Sequence, residues 1–223
     1  MVSPWMENGN LVSYIKRNLS VNRHQLCVQV AQGLAYRHQT EMVHGDLKAA
    51  NVLISDEGVA MLADFGNAIL SLSTIKFAGT ETGCKISVRW AAPELMSESG
   101  KHSRPADIYA LGMTILETLT GEPPFPKKRH DIQVMHAVTM LKEKPERPEC
   151  ILPDSSDNER LWALLTRCWS HEPAERPSAS EVRDEIQTIT KEEPLPLKAR
   201  KRSASSEPKS MPQRACKLTT PKT

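Results

Sequence analysis

Leu11, Tyr14, Ile15 and Leu19 recur at three- and four-residue spacing behind Asn10, the signature of a capped helix buried along one face. Residues 1–9 before it read as a strand end running into an Asn8-Gly9 turn. Asn22 with Gln25 reads as a capping box that opens a second helix, running to about His38 with Leu26, Val30 and Leu34 facing inward. Strands are predicted at Met42-Val43, Val52–Ile54 and Val59–Leu62, with Asp56-Glu57-Gly58 turning the last two into a hairpin. Residues 67–91 hold no long apolar period. Pro105 opens the helix PADIYALGMTILETLTG, and Gly121 with Pro123-Pro124 closes it. Its nearly uncharged middle predicts burial on all sides. Further helices are predicted from Asp131 to Leu141, from a capping box at Ser156–Glu159 to Trp169 (Leu161, Leu165 and Cys168 inward), and from a Ser178/Glu181 cap to about Thr190. The pattern is mainly α with one short β-hairpin.

Composition divides this picture in two. Residues 191–223 carry nine Lys or Arg against three Asp or Glu, five prolines and no aromatic residue, which predicts a disordered basic tail behind a folded 1–190. The remaining 190 residues hold 20 basic and 24 acidic side chains, so the folded part gives no electrostatic reason to expect nucleic acid as a partner. Within the tail, Lys198–Arg202 (KARKR) has the form of a nuclear signal, a form that solvated tail charge shares. No stretch approaches the ~18 apolar residues of a membrane span. The opening MVSPWMENGN lacks the basic and apolar regions of a signal peptide. Five cysteines (27, 84, 150, 168 and 216) form no C-x-x-C pair, so neither a disulfide framework nor a zinc site is indicated, and a reducing, cytoplasmic compartment is expected.

Candidate chemistry concentrates in HGDLKAAN, His44 to Asn51, with Asp64-Phe65-Gly66 thirteen residues further on. Asp46 can accept a hydroxyl proton and Lys48 can neutralise an oxyanion. Asn51 and Asp64 offer hard oxygen ligands of the kind Mg²⁺ prefers beside phosphate. Such a set suits phosphoryl transfer, in which positioning and charge neutralisation do most of the catalysis. The predicted hairpin returns Asp64 to the side of Asn51. Gly79 to Lys85 has a superficial likeness to a phosphate-binding loop, but its spacing is wrong and the G-K-[ST] ending is missing.

HGDLKAAN resembles the protein-kinase catalytic loop H-R-D-L-x-x-x-N, Asp64-Phe65-Gly66 resembles D-F-G, and Ala92-Pro93-Glu94 resembles A-P-E. Three motifs in order at these spacings are a strong signal, and the resemblance covers residues 1–190. It implies a protein-kinase-like C-terminal lobe. Asp46 would be the base, Lys48 the γ-phosphate contact, and Asn51 and Asp64 the Mg²⁺ ligands. The hinge would place Ser3 at the gatekeeper position and Met6 against adenine through its backbone, with Leu53 packing beneath; plain apolar packing of Met6 and Leu53 is an equally good reading. His44 and Phe65 would be structural supports, Asp107 would accept catalytic-loop N–H bonds, and Arg176 would pair with Glu94. ATP, Mg²⁺ and a protein substrate are the implied ligands, and residues 67–91 the activation segment. Lys48 in D-L-K-x-x-N is similar to serine/threonine kinases. Arg89-Trp90 before A-P-E is similar to tyrosine-kinase-like enzymes, in which a Thr stands beside the base where Ser87 stands here.

Two departures matter. Gly45 replaces the Arg of H-R-D, which normally reads activation-loop phosphate through a charge-assisted pair. No G-x-G-x-x-G occurs in the sequence, and no small-lobe strand Lys or helix Glu is recognisable. The expectation is therefore a large lobe without its small lobe, showing no measurable transfer by itself. Two function classes follow: a serine/threonine kinase of which this is the catalytic half, or a catalytically silent kinase-like binding module. Retention of Asp46, Lys48, Asn51 and Asp64 favours descent from an active enzyme.

Overall fold

The computed structural model describes residues 6–63, 69–70, 86–97 and 100–191. Met1–Glu192 forms one compact unit. The predicted tail beyond Lys191, which ends the last helix, and Ser3 and most of the segment 67–91 lie outside the described residues.

Helix α1 (Leu11–Arg17) starts where Asn10 Oδ1 accepts the Ser13 N–H at 2.9 Å, and it buries Leu11 and Ile15. It ends two residues before Leu19, which is 80% exposed and not on the buried face as predicted. Helix α2 (Arg23–Gln39) is capped by Asn22, whose Oδ1 accepts the Gln25 N–H at 3.0 Å. Strand β1 (Met42–Val43) follows. Strands β2 (Val52–Ile54) and β3 (Ala60–Leu62) pair antiparallel with Val52 opposite Leu62 and Ile54 opposite Ala60. Gly58 turns this hairpin at φ +79°, a backbone state that disfavours a side chain. Val52 and Ile54 point into the core while Leu53, between them, is half-buried on the other face. Gly9 and Asn10 dock along β2, with the Ile54 N–H donating to the Gly9 carbonyl at 2.9 Å. Strand β4 (Ile69–Leu70) pairs antiparallel with β1. No sequence pattern announced it.

Helix α3 (Arg104–Thr120) is the central post, with every residue from Ala106 to Leu119 buried. Ser103 caps it by accepting the Ala106 N–H, and Gly121 closes it in the left-handed conformation. Helix α2 packs on α3 and on α6 (Ala179–Lys191), and α5 (Ser156–Cys168) packs on both α3 and α6. Ser155 caps α5, one residue earlier than predicted, its hydroxyl accepting the Asn158 N–H. Ser178 and Glu181 exchange hydrogen bonds at the start of α6, a complete capping box. Helix α4 (Asp131–Thr139) stops short of the predicted Leu141. Among the described residues no helix is long and apolar enough to cross a membrane.

Candidate active site

The loop from His44 to Asn51 leaves β1 and is held from below by two buried carboxylates of α3. Asp107, in the first turn, accepts the His44 N–H at 2.7 Å and the Gly45 N–H at 2.9 Å, and its Oδ2 lies 2.9 Å from His38 Nε2. Gly45 has φ +82°, a conformation that an arginine at this position would take only under strain. Glu117, nearly three turns further along α3, accepts the Ala49 N–H at 3.0 Å and the Trp90 indole N–H at 2.9 Å through one oxygen, Oε2. One rigid helix thus grips the loop at both ends.

Held this way, the loop brings three of the expected residues together. Lys48 Nζ donates to Asp46 Oδ2 at 2.8 Å and to Ser87 Oγ at 2.8 Å. Asn51 Nδ2 donates to the Asp46 carbonyl at 2.8 Å and to Asp46 Oδ2 at 2.9 Å. Ser87, holding Lys48, stands on the side of the groups that favour the charged Asp46 carboxylate. Burial alone would raise the Asp46 carboxyl, but the hydrogen bonds from Lys48 and Asn51, with Ser87 and the Lys48 charge acting in the same direction, outweigh it and hold the group below its ordinary value. Asp46 is therefore ionised at neutral pH and fixed in direction. An ammonium has three donors, and Asp46 and Ser87 take two of those on Lys48, which leaves one for an anion. With Nδ2 turned toward Asp46, the Asn51 Oδ1 is the end left for a cation.

The residue that precedes Asp64 is held against the loop. The Ala63 N–H donates to the Asn51 carbonyl at 2.9 Å. Burial lowers the His44 pKa, with the Asp107 charge pulling the other way, so the ring is neutral at pH 7. Ala63 is thereby fixed against the loop on the residue preceding Asp64. Asp64 and Phe65 themselves lie outside the described residues. Among the described residues no cluster of three or more His, Cys, Asp or Glu stands ready for a metal.

The remaining expected residues form two groups away from this centre. Met6 and Leu53 are half-buried, and the Gly9–Asn10 pairing to β2 ties the segment carrying Met6 to the strand carrying Leu53. Glu94 and Arg176 form a two-pronged ion pair at 2.6 and 2.8 Å, with the Arg176 side chain fully buried. Sequence reasoning missed Glu117, which stands alone ten residues past Asp107. Its signal was a single acid in an otherwise apolar, buried helix, because a carboxylate in that setting requires hydrogen-bond donors. It named Arg89 only for its resemblance and missed its partners: the guanidinium donates to the Pro124, Phe125 and Lys128 carbonyls and to Asp131.

A family profile described as protein tyrosine and serine/threonine kinase matches residues 1–186. The chain is 30% identical over 196 residues to the Arabidopsis thaliana serine/threonine-protein kinase STY46, covering 86% of this chain and 32% of that one. It is 32% identical over 203 residues to the Caenorhabditis elegans discoidin domain-containing receptor tyrosine kinase B, covering 86% of this chain and 25% of the relative. Against the Arabidopsis thaliana serine/threonine/tyrosine-protein kinase HT1, identity is 30% over 187 residues, which is 82% of this chain and 45% of that one. The chain thus spans between a quarter and just under half the length of these relatives. The profile match and the arrangement of the loop around Asp46 agree, and the chain belongs to the protein tyrosine and serine/threonine kinase family.

Proposed function

We propose that this chain carries the catalytic half of a protein kinase that transfers the γ-phosphate of ATP to serine and threonine hydroxyls of proteins, and that residues 1–190 form the larger lobe of the kinase fold. The observation that carries the reading is the Asp46 hub, a carboxylate kept ionised and aimed by Lys48, Ser87 and Asn51. In the proposed reaction the acceptor hydroxyl gives its proton to Asp46 as its oxygen bonds to the γ-phosphorus. The bond from that phosphorus to the β–γ bridging oxygen breaks, and ADP leaves with the electron pair. Lys48 meets the charge on the transferring group with its third donor. Mg²⁺ held by Asn51 Oδ1 and Asp64 would neutralise phosphate charge. Met6 and Leu53 would border the adenine. A lysine such as Lys48, spanning base and phosphate, supports serine/threonine over tyrosine acceptors.

The sequence holds no Gly-rich loop, so the cover over the phosphates would come from a small lobe. The test compares the chain as it stands with a chimera carrying a relative's small lobe ahead of Met1, using Mg·ATP, a mixed protein acceptor and phosphoamino-acid analysis. Phosphoserine and phosphothreonine from the chimera, with only weak Mg-dependent ATP binding by the chain itself, are the expected results. ATP binding with no transfer in either protein would favour the silent binding module. Absence of both would end the kinase reading of this site.

A further inference from the structure

Glu117 carries more than its hydrogen bonds require. It is 7% exposed, on a helix that buries every residue from Ala106 to Leu119. Its Oε2 accepts the Ala49 and Trp90 N–H groups. A glutamine of the same shape would offer both donors an oxygen without an ionisable group. Burying a carboxylate costs more than burying a carboxamide. Burial does push the Glu117 pKa up, against the hydrogen bonds from Ala49 and Trp90 and the charges of Lys48 and Lys16. An acid kept where a neutral group would fasten the same two segments points to use of its charge.

That charge lies between the two segments that meet at Asp46. Ala49 follows Lys48 in the loop, and Trp90 stands three residues after Ser87. Lys48 Nζ donates to Ser87 Oγ at 2.8 Å. A closed circuit results. Covalent chain joins Lys48 to Ala49, Glu117 Oε2 joins Ala49 to Trp90, covalent chain joins Trp90 to Ser87, and Ser87 returns to Lys48. Glu117 ties this circuit to rigid α3. Hydrogen bonds to an ionised acceptor are about twice as strong as neutral ones, so the charged acid holds both segments more firmly than a neutral one. The charges that reach it are Lys48 from the loop and Lys16 from α1, and both favour the ionised form.

Trp90 has a second face. With Gly45, Ile86, Ser87 and Leu95 it lines a hollow beside Asp46. A hydroxyl presented to Asp46 would bring its flanking residues to this hollow. Met6 and Leu53, which would border adenine, are not members of the circuit. Glu117 therefore stands behind the acceptor side of the site and not behind the nucleotide side. We propose that Glu117 is a positioning residue for the protein acceptor, setting from within α3 both the Trp90 wall of the hollow and the Ser87–Lys48 contact, a proposal that rests on the protein-kinase reading for what the hollow receives.

The first test uses the full chain without nucleotide. In ¹⁵N-labelled protein, NMR would follow the Trp90 indole N–H and the Ala49 and Ser87 amides as pH is varied. Expected is one shared midpoint for all three, above the ordinary glutamate value of about 4.3, and its loss in Glu117→Gln. A purely local fastening would move Trp90 and Ala49 but not Ser87, and that result would overturn the proposal. Should Glu117→Gln fail to fold, the parent alone decides, because unequal midpoints at Ala49, Trp90 and Ser87 would overturn it as well. The second test uses the small-lobe chimera. There Glu117→Gln should raise the acceptor KM about tenfold, the size of one weakened hydrogen bond to a charged group, and leave the ATP KM unchanged. An active chimera whose acceptor KM does not respond to Glu117→Gln, or whose two KM values rise alike, would overturn the proposal and spare the kinase reading. A chimera that transfers nothing to any acceptor would end both.

Discussion

At the scale of single residues, Asp46 and Glu117 show how environment assigns different work to two carboxylates. Hydrogen bonds prevail over burial at Asp46; burial prevails over hydrogen bonds at Glu117, whose pKa is raised. Replacing Asp46 by Asn keeps the shape and removes the proton acceptor, so transfer by the chimera should fall ~10²–10⁴-fold while Mg·ATP affinity holds. A turnover unchanged in single-turnover assays would remove Asp46 from the mechanism. Glu117 leads to a prediction about pH. Because its folded pKa lies above the unfolded value, the folded state holds more protons in the window between the two. Stability is then fully present below the unfolded value and is lost as pH rises through the folded one, at up to ~1.4 kcal/mol per pH unit. Glu117→Gln keeps an acceptor for the Ala49 and Trp90 N–H groups without the ionisation. Urea midpoints at pH 5 and 7.5 should therefore show the variant gaining on the parent as pH rises. Glu117→Leu, which orphans two buried donors, should instead lose about 2–4 kcal/mol at either pH. A Glu117→Gln variant that loses as much as Glu117→Leu would refute this division of roles.

At the scale of elements, what could be read from sequence was whatever is settled locally. The caps at Asn10, Asn22 and Ser178 were legible because a short polar side chain and a following N–H decide them within four residues. The β2–β3 hairpin was legible from its turn residues. Strand β4 was not, since its two residues acquire strand geometry only by lying against β1, distant in sequence, with Met42 opposite Leu70 and Val43 opposite Ile69. Asp107 was legible only through family resemblance, because an Asp in a first helical turn is otherwise explained by the helix dipole. The tethering role of Arg89 was illegible because its carbonyl partners carry no side-chain signature. The crossing of α3 and α5 was equally hidden. A Cβ on Gly112 would stand 2.7 Å from Trp169 Nε1 and 2.8 Å from Cys168 Cβ, so the helices meet at a distance that only a glycine permits. Helix propensity favours Gly112→Ala by ~1 kcal/mol, but the overlap should prevail and destabilise the protein by about 1–3 kcal/mol. Thermal unfolding that shows Gly112→Ala stabilised would mean that the α3–α5 contact is looser than described.

At the scale of the whole molecule, three segments distant in sequence converge on one guanidinium. Arg176 binds both oxygens of Glu94, the Pro105 carbonyl at 2.9 Å and the Ser170 carbonyl at 2.9 Å, and it lies 5.2 Å from the centre of the Tyr109 ring. It therefore joins the turn after the Ala92-Pro93-Glu94 motif, the start of α3 and the approach to α6. The start of α3 carries Asp107, so the same junction fixes the base of the Asp46 loop. The Lys127–Glu146 pair offers a contrast, because both of its side chains are about three-quarters exposed. Coulomb attraction, side-chain entropy and screening nearly cancel in water, so Lys127→Ala should change stability by no more than ~1 kcal/mol. Removing Arg176 leaves Glu94 and two carbonyls without their donor inside the fold, and a broken buried pair typically costs ~3–5 kcal/mol. Arg176→Ala should lower the urea midpoint accordingly, while Arg176→Lys, a point charge without the planar fork, recovers only part of the loss. The same variants should loosen the His44–Asn51 loop, read as faster amide exchange at His44 and Gly45, whose N–H groups bond Asp107. Unaltered exchange there in an Arg176→Ala protein that is measurably destabilised would show the junction to be a fastening of α6 alone, with no hold on the candidate site.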